Sequence, residues 1–294
     1  MRHARPDHEI VLAAPAALGA LAGLCGAVDH LLPTDGLGPI GLQEPPDVAV
    51  NLHGRGPQSH QALLDLHPAE LVAFASPLIG NPGPLWDDEE HEVNRWCRLV
   101  AEAWCAEVRP GDLLLRPPTG AYDVPSGVVV IHPGAAFGSR RWPVERFAAV
   151  AAALQRAGER VVVTGSASEV DLAEQVCSHA GLPSEAVLAG RTDLLGLASL
   201  VCGARLVVCG DTGIAHLASA YATPSVVLFG PTSPARWGPP PSGPHVVLWH
   251  GTGAGDPCAD EVDPALMEIS VDEVLDRVAL VLAQPALAST GNLA

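Results

Sequence analysis

Between residues 128 and 249 the chain repeats one unit: a short unbroken aliphatic run, a glycine-rich turn, then an amphipathic helix. The runs are Val128 to His132, Arg160 to Thr164, Ala186 to Leu188, Leu206 to Cys209, Ser225 to Phe229 and His245 to Trp249, with helices between the first five. Strands apolar on both faces and joined by helical crossovers belong to a parallel sheet covered on both sides, so this half must be α/β. Its helix from Pro143 carries Phe147, Val150, Ala151 and Leu154 on one stripe and stops at Gly158. The next helix is expected from Ser168, with Asp171 as its capping-box partner.

The first half alternates less regularly. Strands are expected at Glu9 to Ala14, Asp47 to Leu52 and Glu70 to Phe74. A helix over Asp87 to Glu107 presents Val93, Trp96, Cys97, Val100 and Trp104 on one face. The stretch from Arg109 to Gly127 is rich in proline and glycine and reads as a linker. The expected organisation is therefore an N-terminal Rossmann-like domain over 1–110, a linker over 111–127, a ligand-binding domain over 128–270, and a closing helix and loose tail over 271–294.

Composition narrows the partners. Hydrophobic residues make up 48% of the chain and aromatic ones 4%, which predicts a core of aliphatic layers. The net charge of -17 excludes nucleic acid or an anionic membrane as main partner, because both select basic surfaces. Membrane contact is expected to be peripheral at most. Seven scattered cysteines show no zinc spacing and read as small buried hydrophobes in a reducing cytoplasm. Val11 to Val28 lacks charges, but Pro15 and its many Ala and Gly residues make it a strand, a turn and a short helix rather than a leader or a membrane span.

The sharpest local signal is LVVCGDTGIAH, Leu206 to His216. Asp211 falls at the expected N-cap, Thr212 and Gly213 in the first turn, and His216 one turn further along the same face. Free backbone N–H groups and the positive end of the helix dipole make such a turn an anion site, and Gly213 lets a phosphate come close. Three other strand ends add to it. The loop HPGAAFGSRRWP offers Arg140 and Arg141 for a diphosphate, although Arg141 could equally be a surface cation. Thr164, Gly165 and Glu169 follow the second strand, Glu169 either accepting from sugar hydroxyls or favouring the helix start. Gly230, Pro231 and Thr232 end the fifth strand. Ligands of open parallel sheets bind at these carboxyl ends.

Taken in order, HPGAAFGSRRWPVERFAAVAAAL, VVVTGSASEVDLAE, LAGRTDLLGLASLV and GDTGIAHLASAYATPSVVLFGPTSPARWGP resemble the C-terminal half of glycosyltransferase family 9, the ADP-heptose:lipopolysaccharide heptosyltransferases. The resemblance runs from Val128 to Pro239. It implies the GT-B fold, two facing Rossmann-like domains with the donor held by the second, and an inverting transfer that needs no metal. The donor would be a nucleotide sugar, ADP-heptose by analogy, and the acceptor a glycan or lipopolysaccharide-type hydroxyl. Residue by residue, it puts Arg140 where the family has a lysine at the diphosphate, Glu169 at the ribose, Asp211 at sugar hydroxyls, and Thr212, Gly213 and His216 at the diphosphate. Ala135 and Ala136 stand where hydroxyl residues often contact phosphate. His132 reads as loop scaffold.

The resemblance also implies a shortfall. The family begins with a strand, a glycine-rich loop bearing the aspartate that deprotonates the acceptor, and a helix, whereas Arg2 to Pro15 resembles the end of that helix and the second strand. The expectation is that the N-terminal domain here is incomplete and that the natural start lies earlier. If the start is as given, His53 beside Gly54 is the substitute base, imidazole being a common general base. Two other readings remain: a non-catalytic nucleotide-sugar-binding partner protein, and a sugar-nucleotide epimerase on the same scaffold.

Overall fold

A computed structural model describes residues 1–283. The expected tail over 284–294 lies outside the described residues. Two compact units form, one of Met1–Pro118 with Ala235–Trp237, the other of Thr119–Pro234 and the chain from Gly238 onward.

The first unit holds β1 (Val11–Ala14), α1 (Gly19–Leu24), β2 (His30–Pro33), β3 (Val48–Val50), α2 (Gln58–Leu64), β4 (Glu70–Val72) and α3 (Glu92–Trp104). Its strands form two parallel pairs, β1 with β2 from Val11 opposite His30, and β3 with β4 from Val48 opposite Glu70. Neither β2 nor α2 was expected. Only Leu31 and Leu32 mark β2 before Pro33, and α2 begins on polar Gln58, Ser59 and His60, so periodicity is weak in both.

The core here departs from the aliphatic expectation. Phe74 makes edge contacts with Trp86 and Trp96 at centroid distances of 5.0 and 5.8 Å, and Arg95 lies over Trp86 at 4.1 Å. Few aromatics are present, but three of the six tryptophans and one phenylalanine fall close together along 74–104, across the β4–α3 connection. Trp104 also packs against this core. Edge-to-face pairs add about 0.5–1.5 kcal/mol beyond area burial. Helix α3 turns Leu99 and Val100 inward and is capped by His91, whose Nδ1 accepts from the Val93 N–H at 3.3 Å.

The second unit runs β5 (Val129–His132), α4 (Val144–Arg156), β6 (Val161–Val163), α5 (Val170–Ala180), α6 (Leu194–Cys202), β7 (Leu206–Gly210), α7 (Gly213–Ala220), β8 (Ser225–Phe229), the short α8 (Pro234–Trp237) shared with the first unit, β9 (His245–Trp249), α9 (Pro264–Glu268) and α10 (Val271–Ala283). All five strands are parallel in the order β6-β5-β7-β8-β9. Residues on both faces of β5, β6, β7 and β8 are buried, which their unbroken Val, Leu and Ile runs require. Phe147, Val150, Ala151 and Leu154 of α4 and Val274, Val278 and Val281 of α10 pack in one core with Ile131, Val226 and Leu228 of the sheet. Each fully buried Val, Leu or Phe contributes about 1.5–3 kcal/mol.

Ala186–Leu188 is not a strand. A 3-10 turn covers Ser184–Ala186 and Val187 makes a single bridge to Val163. Pro183 enters this turn without an N–H, which leaves too short a run to extend the sheet. Pro143 is the N-cap of α4 rather than its first residue.

At the sheet edge His245 Nδ1 lies 2.9 Å from Ser225 Oγ, and burial pushes its pKa down to about 4. Burial also lowers that of His132. Each is harder to protonate folded than unfolded, where a histidine takes up a proton near pH 6.5, and for His245 the folded value is about 4. Between about 4 and 6.5 the unfolded chain therefore binds protons that the folded chain refuses, and stability falls as pH falls through that window. Thermal unfolding followed from pH 7.5 to 4.5 should show a declining midpoint, and His245→Gln should decline less steeply.

Candidate functional site

The strand order reverses between β5 and β7: the chain leaves β5 for β6 on one side and returns as β7 on the other. Loops leaving the two carboxyl ends diverge, opening the crevice in which sheets of this kind bind ligands. Both loops carry residues singled out by sequence.

After β5, His132 is buried and shares a 2.9 Å hydrogen bond with Thr164 Oγ1 of the neighbouring loop, a scaffold role. A 3-10 turn, Gly138–Arg140, follows. It is strapped by the segment ahead of α9: the Ser139 N–H donates to Ala259 O at 2.9 Å, and the Asp263 N–H donates to Ser139 O at 3.3 Å. Arg140 is half-buried. Its Nε is shielded from solvent without a hydrogen-bond partner among the described residues, and its guanidinium stands 5.6 Å from the Phe137 ring centre. An unsatisfied buried donor costs about 1–3 kcal/mol, which a bound acceptor would recover. Arg141 instead closes its own loop, Nε donating to Ala135 O at 2.8 Å.

After β7, the sequence reading shifts by one residue. Thr212, with φ -155° and ψ 173°, is the N-cap of α7, so Asp211 precedes the helix rather than capping it. The Thr212 side chain makes no capping bond, and Gly213 opens the helix exposed, with nothing within 4 Å of where a Cβ would stand. Asp211 is buried. Burial raises its carboxyl pKa, while the nearby positive charges of Arg140 and His216 lower it. Asp211, Arg140 and His216 thus lie within one electrostatic neighbourhood, with the first-turn N–H groups of α7 beside them.

Glu169 serves the helix start. Its Oε2 accepts from the Ser166 N–H at 2.7 Å and from Ser166 Oγ at 2.8 Å, so the capping box is Ser166–Glu169, not Ser168–Asp171. The remaining Oε1 faces Gly134, where a Cβ would fall 2.2 Å away, so a side chain there would push the carboxylate aside. His53 is exposed, one residue beyond the Asp47–Leu52 stretch read as a strand, and it belongs to the first unit. The strap over 256–263 was missed by sequence reasoning. Its only signal was Asp263 before Pro264, the N-cap of α9.

All seven cysteines are free. Cys177 and Cys209 are buried, and burial raises both thiols, that of Cys177 to about 11. Cys25, Cys105 and Cys258 are exposed, contrary to expectation, because they sit in loops and at a helix end outside either core. Among the described residues no three His, Cys, Asp or Glu side chains gather as a metal site, and no helix is long and apolar enough to cross a membrane.

Two parallel α/β units, one with a helix opening at its strand-order reversal, have the architecture of the GT-B class. The chain belongs to glycosyltransferase family 9 (heptosyltransferase), whose family model matches residues 85–265. Among solved structures it is similar to the E. coli ADP-heptose lps heptosyltransferase II, with a TM-score of 0.72 and 21% identity over 96% of this chain and 91% of that one. The glycosyl transferase family 9 protein of Veillonella parvula DSM 2008 aligns with a TM-score of 0.77 and 19% identity, covering 96% and 90%. E. coli heptosyltransferase WaaC with ADP gives 0.67 and 17%, covering 95% and 92%. No curated protein sequence matches. These likenesses establish the fold and the family establishes the enzyme class.

Glu169 provides a separable test of local structure. Glu169→Ala removes the cap and should cost about 0.5–2 kcal/mol in denaturant unfolding, whereas Glu169→Gln, which can still reach back to the Ser166 N–H, should cost less.

Proposed function

We propose that the protein transfers a heptosyl group, with inversion, from ADP-heptose to an acceptor hydroxyl of lipopolysaccharide type. The observation that carries this reading is the pairing of the open N-terminal turn of α7 at Gly213 with the unpartnered Nε of Arg140. A diphosphate satisfies both at once: its oxygens accept from first-turn N–H groups and from a guanidinium whose donor is otherwise wasted. WaaC, similar in fold, was solved with ADP and with ADP-2-deoxy-2-fluoro heptose.

In this reading Arg140, the α7 amides and His216 hold the diphosphate, Asp211 accepts from sugar hydroxyls, and the free oxygen of Glu169 accepts from the ribose. The acceptor oxygen attacks the anomeric carbon on the face opposite the diphosphate. A bond to the acceptor forms, the bond to the phosphate oxygen breaks, and ADP leaves with the electron pair. Negative charge grows on the leaving group, where Arg140 and the helix amides stabilise it without reorganisation. These groups supply the positive charge for the step, so no metal is assigned to it. The acceptor proton is assigned to His53, whose exposed imidazole follows a parallel strand and whose loop is held by hydrogen bonds. A family-9 enzyme handling such a donor is expected to work in the cytoplasm.

Arg140→Ala tests the assignment. Transfer measured as ADP release from ADP-heptose with heptose-free lipopolysaccharide should fall about 100-fold or more, as on removal of one oxyanion donor, while thermal stability stays near wild type. Near-normal transfer by that variant would remove Arg140 from the mechanism.

A further inference from the structure

A second polar cluster lies in the first unit, beneath the loop that follows β3. Asn51, Ser59 and His60 are 2, 6 and 0% exposed. His60 Nε2 is 2.8 Å from Phe74 O, and a carbonyl can only accept, so Nε2 carries the proton and Nδ1 is left an acceptor. The Asn51 amide then donates to His60 Nδ1 at 2.8 Å and toward Ser59 Oγ at 2.9 Å and Gly54 O at 3.3 Å. Its Oδ1 accepts from the His53 N–H at 2.8 Å. The two amide protons thus serve His60 Nδ1 and Ser59 Oγ, the longer 3.3 Å approach to Gly54 O being a shared contact. The loop backbone also crosses the imidazole closely: at Gly56, with φ +76°, a Cβ would lie 2.4 Å from His60 Nδ1.

Such a network is costly unless complete, and an apolar plug would support the β3–β4 pair with fewer constraints. What it adds is a fixed backbone. The 52–57 segment is hydrogen-bonded to buried Asn51 at His53 and Gly54 and passes close over buried His60 at Gly56, while Leu52, His53 and Arg55 remain exposed. Loops at the carboxyl ends of parallel strands are where α/β proteins recognise ligands, and a loop held in its bound shape binds at a lower entropic cost.

We propose that Asn51, Ser59 and His60 are positioning residues that hold the 52–57 segment as the acceptor-recognition loop. The acceptor part of this inference rests on the transfer reading above. The network acts through the backbone at His53 and Gly54, so it should govern acceptor affinity and leave the donor site in the second unit untouched.

Asn51→Ala, with Ser59→Ala as the milder variant should the first fail to fold, separates the possibilities. Three quantities are read: amide exchange of 52–57 against 70–74, KM for heptose-free lipopolysaccharide, and the Kd for ADP. Asn51→Ala should speed loop exchange and raise acceptor KM, each about tenfold, the equivalent of one lost buried hydrogen bond, with exchange at 70–74 and the ADP Kd unchanged. Ser59→Ala should move the same quantities less. Unchanged loop exchange, unchanged acceptor KM, or a parallel loss of ADP binding overturns the inference alone, with transfer by the wild type intact. A wild type that binds ADP but transfers nothing to this acceptor overturns the transfer reading and the acceptor role together.

Discussion

Everything at the donor site depends on the reversal of strand order between β5 and β7. Parallel strands must be joined by crossovers, and a crossover that changes direction forces two adjacent loops apart at their carboxyl ends. Because β5 and β7 are hydrogen-bonded in register from Val129 opposite Leu206, the loops start from fixed points. The turn bearing Arg140 and the turn opening α7 consequently share one neighbourhood although they lie some seventy residues apart in the chain: Arg140 O is 2.9 Å from where a Cβ would stand at Gly210. Packing of α4 and α10 on the sheet fixes the strands, and the strands fix the chemistry.

Electrostatics complete the argument. A chain with net charge -17 repels anions at long range, so an anionic ligand has to be held by a few well-placed donors. Arg140 is suited to that because it is half-buried, partly desolvated and incompletely bonded. Asp211 beside it is buried, and its carboxylate can only accept hydrogen bonds. A cationic donor and an anionic acceptor are thus presented by the same two loops.

Much of the second unit was legible in the sequence. Five of its six aliphatic runs are strands, because a strand buried on both faces admits little but Val, Leu and Ile, and HPGAAFGSRRWP and GDTGIAH each lead from a strand toward a helix. Apart from Ala186–Leu188, where a 3-10 turn and one bridge replace the expected strand, the misreadings concern helix caps. Thr212 rather than Asp211 caps α7, and Ser166 with Glu169 forms the box expected at Ser168 and Asp171, since competing cap residues adjoin one another and only backbone geometry selects among them. The first unit was harder to read. Strand β2 and helix α2 lack periodicity, the aromatic cluster around Phe74 is created by tertiary approach, and the Asn51–His60 network joins residues whose types gave no pattern. The strap over 256–263 is likewise a contact between distant segments, invisible to any local rule.

The central claim is that the α7 turn and Arg140 form one diphosphate site. A crystal structure of the protein with ADP tests it most directly. The account predicts phosphate oxygens within hydrogen-bond distance of the Gly213 N–H and of the Arg140 guanidinium, with Nε of Arg140 now bonded. A nucleotide bound elsewhere, or bound here with Arg140 turned away from the phosphates, would contradict it.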